Sequence, residues 1–208
     1  MTTVTILSGL GYEWPSDIPA PTEFEFELVG NVRASASQFD GSVQTTEVPG
    51  ARWVFTARWS ILQGAEARAM TALAAKLRGG ARRYLVPFFN KPAPQGTQQG
   101  APTVNAAGTG GTTLALANCT IGKTFKTGDV WALDTGQVVM LDEDAVAATT
   151  SVLLHLATPI RTVPANGSVV EWQDPAVLMV SSAQSVRVPT QSGRQLKNVE
   201  IRFVEVFG

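Results

Sequence analysis

Hydrophobic and polar positions alternate most clearly between Arg52 and Leu62. Trp53, Phe55, Ala57, Trp59 and Ile61 take every second place, and Arg52, Thr56, Arg58 and Ser60 take most of the others. A strand turns successive side chains to opposite faces, so this pattern predicts a strand with one aromatic, buried face. The period then changes. From Gln63 to Arg78 the apolar residues Ala67, Met70, Leu73, Ala74 and Leu77 stand three and four apart, one stripe of a helix. Gly79 and Gly80 predict its end, because glycine tolerates the left-handed conformation that closes a helix. Arg78, Arg82 and Arg83 lie near that end, where the dipole favours cations. Tyr84 to Phe89 predicts a second buried strand, and Pro87 argues for an edge or a bulge there.

The pattern elsewhere is that of a β protein. Residues 1 to 22 hold Trp14-Pro15 and Ile18-Pro19-Ala20-Pro21, which favour an extended arm, packed down by Trp14 or reaching a neighbour. Glu23 to Leu28 alternates strictly, with Phe24, Phe26 and Leu28 on one face and Glu23, Glu25 and Glu27 on the other. Three like charges on one strand face repel, so that face belongs in water or opposite cations. Weaker strands are expected at Val32–Phe39 and Gln44–Val48, with turns at Asp40-Gly41 and Pro49-Gly50.

Asn90 to Gly111, rich in Pro, Gly, Gln and Thr, reads as a linker or long loop. Beyond it come five short runs: Thr113–Ala117, Asp129–Asp134, Gln137–Asp142, Ser151–Thr158 and Ser168–Trp172. Turn signals separate them, which suggests a small OB or SH3-like β-barrel. After Asp174-Pro175 the chain predicts strands at Ala176–Ser182 and Asn198–Phe207, with a polar hairpin or loop around Ser192-Gly193. The early strands are too one-faced to form a complete unit alone. The expected organisation is therefore one domain from residues 1–93 plus 174–208, with 94–173 inserted as the barrel.

Composition narrows the function. Hydrophobic residues make up 44% of the 208 and charged ones 16%, ordinary for a globular chain. A formal net charge of −1 gives no whole-chain attraction to nucleic acid or an anionic membrane. No window approaches a membrane span and no signal-peptide pattern opens the chain, so a protein folded where it is made is expected. Charge is uneven, however. Glu13 to Gly50 holds seven acidic residues and one basic, whereas Arg52 to Arg83 holds seven basic and one acidic. Within one monomer these stretches can simply neighbour each other. The alternative is a head-to-tail contact between copies, acidic surface against basic surface, which closes into rings.

Candidate chemistry is sparse. Ala117-Asn118-Cys119-Thr120-Ile121-Gly122-Lys123-Thr124 has the form of a phosphate loop with alanine for its first glycine. Such a loop needs a helix behind it, and Phe125-Lys126-Thr127-Gly128-Asp129 reads as a turn instead, so a β-turn is expected. His155 is the one histidine, which leaves no multi-histidine metal site, and it is expected as a surface or satisfied barrel residue. Asp142-Glu143-Asp144 is expected as a solvated turn. Cys119 has no disulfide partner. The helix arginines are not interleaved with exposed aromatics, as a single-strand binder would want. No metal, cofactor or catalytic residue is expected.

A family resemblance rests on the order of short motifs. They are Phe39-Asp40-Gly41 with Gln44, Pro49-Gly50-Ala51-Arg52-Trp53, and an alanine-rich helix ending Leu77-Arg78-Gly79-Gly80. Then come Lys126-Thr127-Gly128-Asp129-Val130, Thr158-Pro159-Ile160-Arg161, and a closing strand with Phe203 and Glu205. Together they resemble the distal tail proteins (minor tail, baseplate-hub ring proteins) of long non-contractile-tailed phages and related particles. The resemblance implies a mainly β fold, a tail-tube-like β-sandwich with one α-helix carrying the inserted barrel. It implies a homohexameric ring at the virion tail tip, made in the bacterial cytoplasm. The implied partners are copies of itself, the tail tube protein, the tail hub protein and other baseplate or fibre proteins. On this reading Arg52, Arg58, Arg82 and Arg83 serve a subunit interface, and Glu23, Glu25 and Glu27 face the channel. A rival reading is a carbohydrate- or receptor-binding module using Trp131 or Trp172 of the barrel. A hydrolase fragment is a third, and the single histidine argues against it.

Overall fold

The computed structural model describes residues 11–30, 32–36, 42–47, 51–89, 93–182, 190–191 and 195–206. The expected turns at Asp40-Gly41, Pro49-Gly50 and Ser192-Gly193 lie outside the described residues. Among the described residues the fold is mainly β with one α-helix. Along the chain come β1 (Tyr12–Glu13), β2 (Glu23–Val29), β3 (Val32–Ala36), β4 (Val43–Glu47) and β5 (Arg52–Leu62). The helix α1 (Gly64–Leu77) follows, then β6 (Tyr84–Pro87), β7 (Thr103–Val104), β8 (Gly111–Ala117), β9 (Thr124–Phe125), β10 (Val130–Ala132) and β11 (Val138–Met140). The remaining strands are β12 (Ala145–Val146), β13 (Val152–Ile160), β14 (Ala176–Ser181), β15 (Thr190–Gln191) and β16 (Gln195–Glu205). No helix among the described residues is long and apolar enough to cross a membrane.

One seven-stranded sheet carries the first core. Its order is β1-β6-β14-β16-β5-β2, with β15 paired to β16. Register follows the alternation: Phe26, Phe55 and Phe203 form one row, and Phe24, Ala57 and Ile201 the next. The sheet curls so that its two ends face each other. Phe88, just past β6, lies 5.0 Å from Phe26 and 5.0 Å from Phe55 by ring centroid, although β14 and β16 separate β6 from β5 in the hydrogen-bonded order. This is a sandwich-like closure around aromatic side chains, whose tilted and edge-to-face contacts add to the area they bury. α1 adds Ala67, Met70, Leu73 and Leu77 to the same core.

Local differences from the predicted elements have physical reasons. The helix ends at Leu77, and the first left-handed residue is Arg78 (φ 45°) rather than a glycine; Gly79 and Gly80 continue the reversal. Gly80 is required twice over. Its φ is +88°, and an added Cβ would sit 2.6 Å from the Ser181 carbonyl oxygen. β6 is not an edge strand, because it lies between β14 and β1. Pro87 is its last residue, past the two residues with which β1 pairs, so the missing N–H breaks no β1 ladder bond. Ile61 is exposed and Leu62 buried, which breaks the alternation at the end of β5.

The described part of the N-terminal arm is packed down. β1 pairs in parallel with β6, Trp14 stacks on Trp59 at 6.3 Å and 10°, and the Trp59 Nε1 donates to the Pro19 carbonyl at 3.0 Å.

Residues 103–172 wrap a second core that includes Leu114, Leu116, Phe125, Trp131, Val139, Leu154 and Val170. Three short ladders surround it: β7-β8-β13, β10-β11 and β9-β12. No closed barrel of continuous ladders forms. Single bridges take the place of ladders at Thr103–Val169, Ala132–Glu171 and Leu141–Leu156. The pairing path therefore runs β8, β7, the segment through Val169 and Glu171, β10, β11, β13 and back to β8. Ser168–Trp172, expected as a strand, contributes only these bridges.

The two cores touch. Val130, Ala132 and Val138 pack into the first core, the Trp53 Nε1 donates to the Val138 carbonyl at 3.2 Å, and the Leu178 N–H donates to the Gly136 carbonyl at 3.0 Å.

Candidate functional site

The strongest concentration of charge lies on the outer face of β2, β5 and β16. The ladder places Glu23, Arg58 and Glu200 in one row and Glu25, Thr56 and Arg202 in the next. Glu27 stands opposite Val54, and Arg52 opposite Val29. Paired residues on neighbouring strands point to the same side, so each row is a set of side-chain neighbours. Arg58 is the hub. Its Nε donates to Glu200 Oε2 at 2.9 Å, and its Nη1 lies 3.4 Å from Glu23 Oε2 and 3.2 Å from Glu25 Oε1. The hydrogen bonds to Glu200 and Glu23 raise its pKa further. Thr22, Ser60 and Asn198 complete a shallow depression around it.

This geometry sorts the predicted site residues. Arg58 neutralises Glu23 and Glu25 within one chain, so part of the charge asymmetry is satisfied between neighbouring strands. Glu27 is exposed and makes no ion pair among the described residues, and Arg52 is likewise exposed. Arg82 and Arg83 lie elsewhere, beside β1. The Arg82 guanidinium sits 5.0 Å from the centre of the Tyr12 ring, and the Arg83 carbonyl accepts the Tyr12 N–H at 2.9 Å. The structure thus separates the four arginines into two groups. Glu200 and Arg202 complete the face from beyond the unevenly charged stretch of Glu13 to Arg83; their alternation with Val199, Ile201 and Phe203 is the sequence signal that places them on it.

Elsewhere the motifs take structural positions. Residues 118–123 form a turn with Asn118 at φ 57° between β8 and β9, and a strand rather than a helix follows. Cys119 is buried, and burial pushes its thiol pKa up to about 11. His155 is exposed on β13, with its Nε2 3.6 Å from Glu143. Asp144 accepts from the Lys126 ammonium and from the Thr127 N–H, which hold its carboxyl at about 2. No group of three potential metal ligands gathers among the described residues. Asp129 is buried and accepts the backbone N–H groups of Gln95, Gly96 and Lys126 at 2.7, 2.9 and 3.2 Å, pinning the stretch after β6 to the second core. Trp131 is 1% exposed. Trp172 is half-buried 6.4 Å from it, and its Nε1 donates to the Gly100 carbonyl at 3.2 Å.

The β3–β4 hairpin stands apart. It has five residue pairs, from Val32 opposite Glu47 to Ala36 opposite Val43, and no ladder joins it to another described strand. Its described side chains, on residues 34–36 and 43–45, are all exposed.

Compared with models of known protein families and with curated proteins, the chain matches none.

Proposed function

We propose that this chain is a structural component of a phage tail tip, forming a ring that joins the tail tube to the central hub, without catalysis. The observation that carries the reading is the β3–β4 hairpin. A two-stranded hairpin alone is marginally stable in water. This one buries none of its described side chains, so a stable arm needs a surface supplied by another molecule. The order of tail-protein-like motifs supports a copy of itself and the adjoining tube and hub proteins as that surface. The outer face of β2, β5 and β16 carries Glu23, Glu25, Glu27 and Glu200 interleaved with Arg52, Arg58 and Arg202. Such a mixed face is a weaker repellent for passing DNA than a bare glutamate strip, so we favour contacts between subunits over a channel lining. Burial of Trp131 speaks against a sugar platform there, since a sugar stacks only on an accessible ring.

The test is assembly. Sedimentation and electron micrographs of the purified chain, alone and with tail tube protein, are expected to show rings or ring-capped tubes. A chain with residues 32–47 replaced by a short glycine turn is expected to keep its circular dichroism spectrum and lose those assemblies. Normal assembly by the shortened chain would overturn the reading.

A further inference from the structure

We propose that residues 95–100 are a releasable occupant of a groove on the second core, and that the groove takes an extended Gly-x-apolar segment of a partner chain in their place. This site does not depend on the ring reading. Composition predicts a loose linker here, and the structure fastens it instead. Asp129 accepts the N–H groups of Gln95 and Gly96 at 2.7 and 2.9 Å. Thr97 and Thr124 bond reciprocally. The Thr97 N–H donates to the Thr124 carbonyl at 2.9 Å, and the Thr124 N–H donates to Thr97 Oγ1 at 3.0 Å. Thr120 Oγ1 donates to the Gln99 carbonyl at 3.0 Å, and Trp172 Nε1 to the Gly100 carbonyl at 3.2 Å.

The groove reads main chain. Apart from Thr97 Oγ1, each atom that the segment gives to these bonds belongs to its backbone, which is how an extended peptide is held along a strand. Two positions carry the selectivity. Gly96 has no room for a side chain, since an added Cβ would stand 2.5 Å from the Thr124 carbonyl oxygen and 3.0 Å from Asp129 Oδ2. Gln98 is 3% exposed. Its Nε2 donates to the carbonyl of its own neighbour Gln99, and its Oε1 accepts nothing among the described residues. The groove thus encloses this side chain without answering its polar groups, an environment that suits an apolar one.

The same features favour release. Gln95, Thr97 and Gln99 are exposed, so the segment buries little apolar surface. An orphaned buried acceptor costs free energy for as long as the segment stays in place. Segments with few buried apolar contacts open locally while the core beneath them stays folded. Being tethered, residues 95–100 compete at high effective concentration, so a partner enters only where it fits better. Glycine at the place of Gly96 and an apolar side chain at the place of Gln98 supply that better fit.

Hydrogen exchange and peptide binding test the site. In the native chain the amides of Gln95, Gly96 and Thr97 are expected to exchange together, about a hundredfold faster than the ladder amides of β8 and β13. Exchange in step with β8 and β13 would make the segment part of the core and overturn the proposal. Binding is read by fluorescence polarisation with labelled peptides of residues 93–102. A peptide carrying Q98M is expected to bind the unaltered chain about tenfold more tightly than the peptide of native sequence, and one carrying both G96V and Q98M is expected not to bind. T97P in the protein removes the N–H that the Thr124 carbonyl holds, and is expected to tighten binding of the Q98M peptide about tenfold further. Failure of the Q98M peptide to bind either chain, or equal binding with and without G96V, would overturn the proposal. A T97P chain that loses its circular dichroism spectrum would overturn it too, by showing that the segment cannot leave.

Discussion

Arg161 grips Glu205 with both arms of its guanidinium: Nη2 donates to Oε2 at 3.1 Å, and Nη1 lies 3.1 Å from Oε1. The same Oε2 accepts the Trp53 N–H at 2.9 Å, and the Arg161 N–H is itself held by Gln137 Oε1 at 3.1 Å. Arg161 follows β13 of the second core and Glu205 ends β16 of the sheet, so the pair joins the two cores. The Glu205 side chain is 1% exposed. Removing Arg161 takes away the cation that compensates the buried Glu205 carboxylate. R161A is therefore expected to lower unfolding free energy by about 3–5 kcal/mol in urea titrations. The double variant E205L/R161M is expected to cost less than R161A, because no carboxylate is then stranded. A double variant worse than R161A would show that the pair contributes net stability beyond charge compensation.

Two carboxyls give opposite pH dependences. Burial raises the Glu205 pKa above its ordinary 4.5, against the pull of the Trp53 N–H and Arg161. The folded chain thus holds that proton more tightly than the unfolded one. Its contribution is full below 4.5 and is lost as pH rises through the raised value.

Asp144 runs the other way. Lys126 first, and then the Thr127 N–H, hold it at about 2 against an ordinary 3.8. Its contribution is present above 3.8 and is lost as pH falls to about 2. The difference in urea midpoint between the unaltered chain and D144N is expected to shrink to nothing between about pH 5 and pH 2. A constant difference would mean that Lys126 does not hold the carboxylate.

Cys119 is expected to be inert in the native state. Raising a thiol from 9.0 to about 11 cuts its thiolate fraction at mildly alkaline pH about a hundredfold, before steric protection is counted. Labelling with a chromogenic disulfide is expected to become fast only in urea. Rapid labelling of the folded chain would show that the second core opens readily.

The helix end offers a paired test. Arg78 adopts a left-handed conformation that glycine accepts freely, so R78G is expected to raise stability by about 1 kcal/mol. Gly80 combines φ +88° with the close Ser181 carbonyl, so G80A is expected to lower stability by about 2 kcal/mol or more. Thermal melts of the two variants should move in opposite directions.

The long periodic elements were legible because burial on one face writes a repeat into the chain. The strand at Arg52–Leu62, the stripe from Ala67 to Leu77 and the alternation of Val199, Ile201 and Phe203 all appear where the spacing puts them. Two-residue strands such as β1, β7, β9 and β12 were not legible, since two residues cannot show a period. Nor could spacing reveal that Arg58 belongs to Glu23, Glu25 and Glu200, because cross-strand neighbours are set by register between segments far apart in the chain. Glu205 looked like one more position in an alternating strand. Its burial depends on Arg161 arriving from another core, and no local pattern encodes that meeting.

Glu200 meets Arg58 across 142 positions of chain, because β16 lies between β14 and β5 in the finished sheet. On the ribosome, β5 and α1 emerge long before the strand that fills that gap. Until β16 is made, Phe55, Ala57 and Trp59 have no Phe203, Ile201 and Val199 beside them. The second core closes within residues 103–172, so translation can complete it first. Synthesis thus reaches residue 172 with every residue of the second core made, while the sheet still lacks the two strands, β14 and β16, that join β6 to β5.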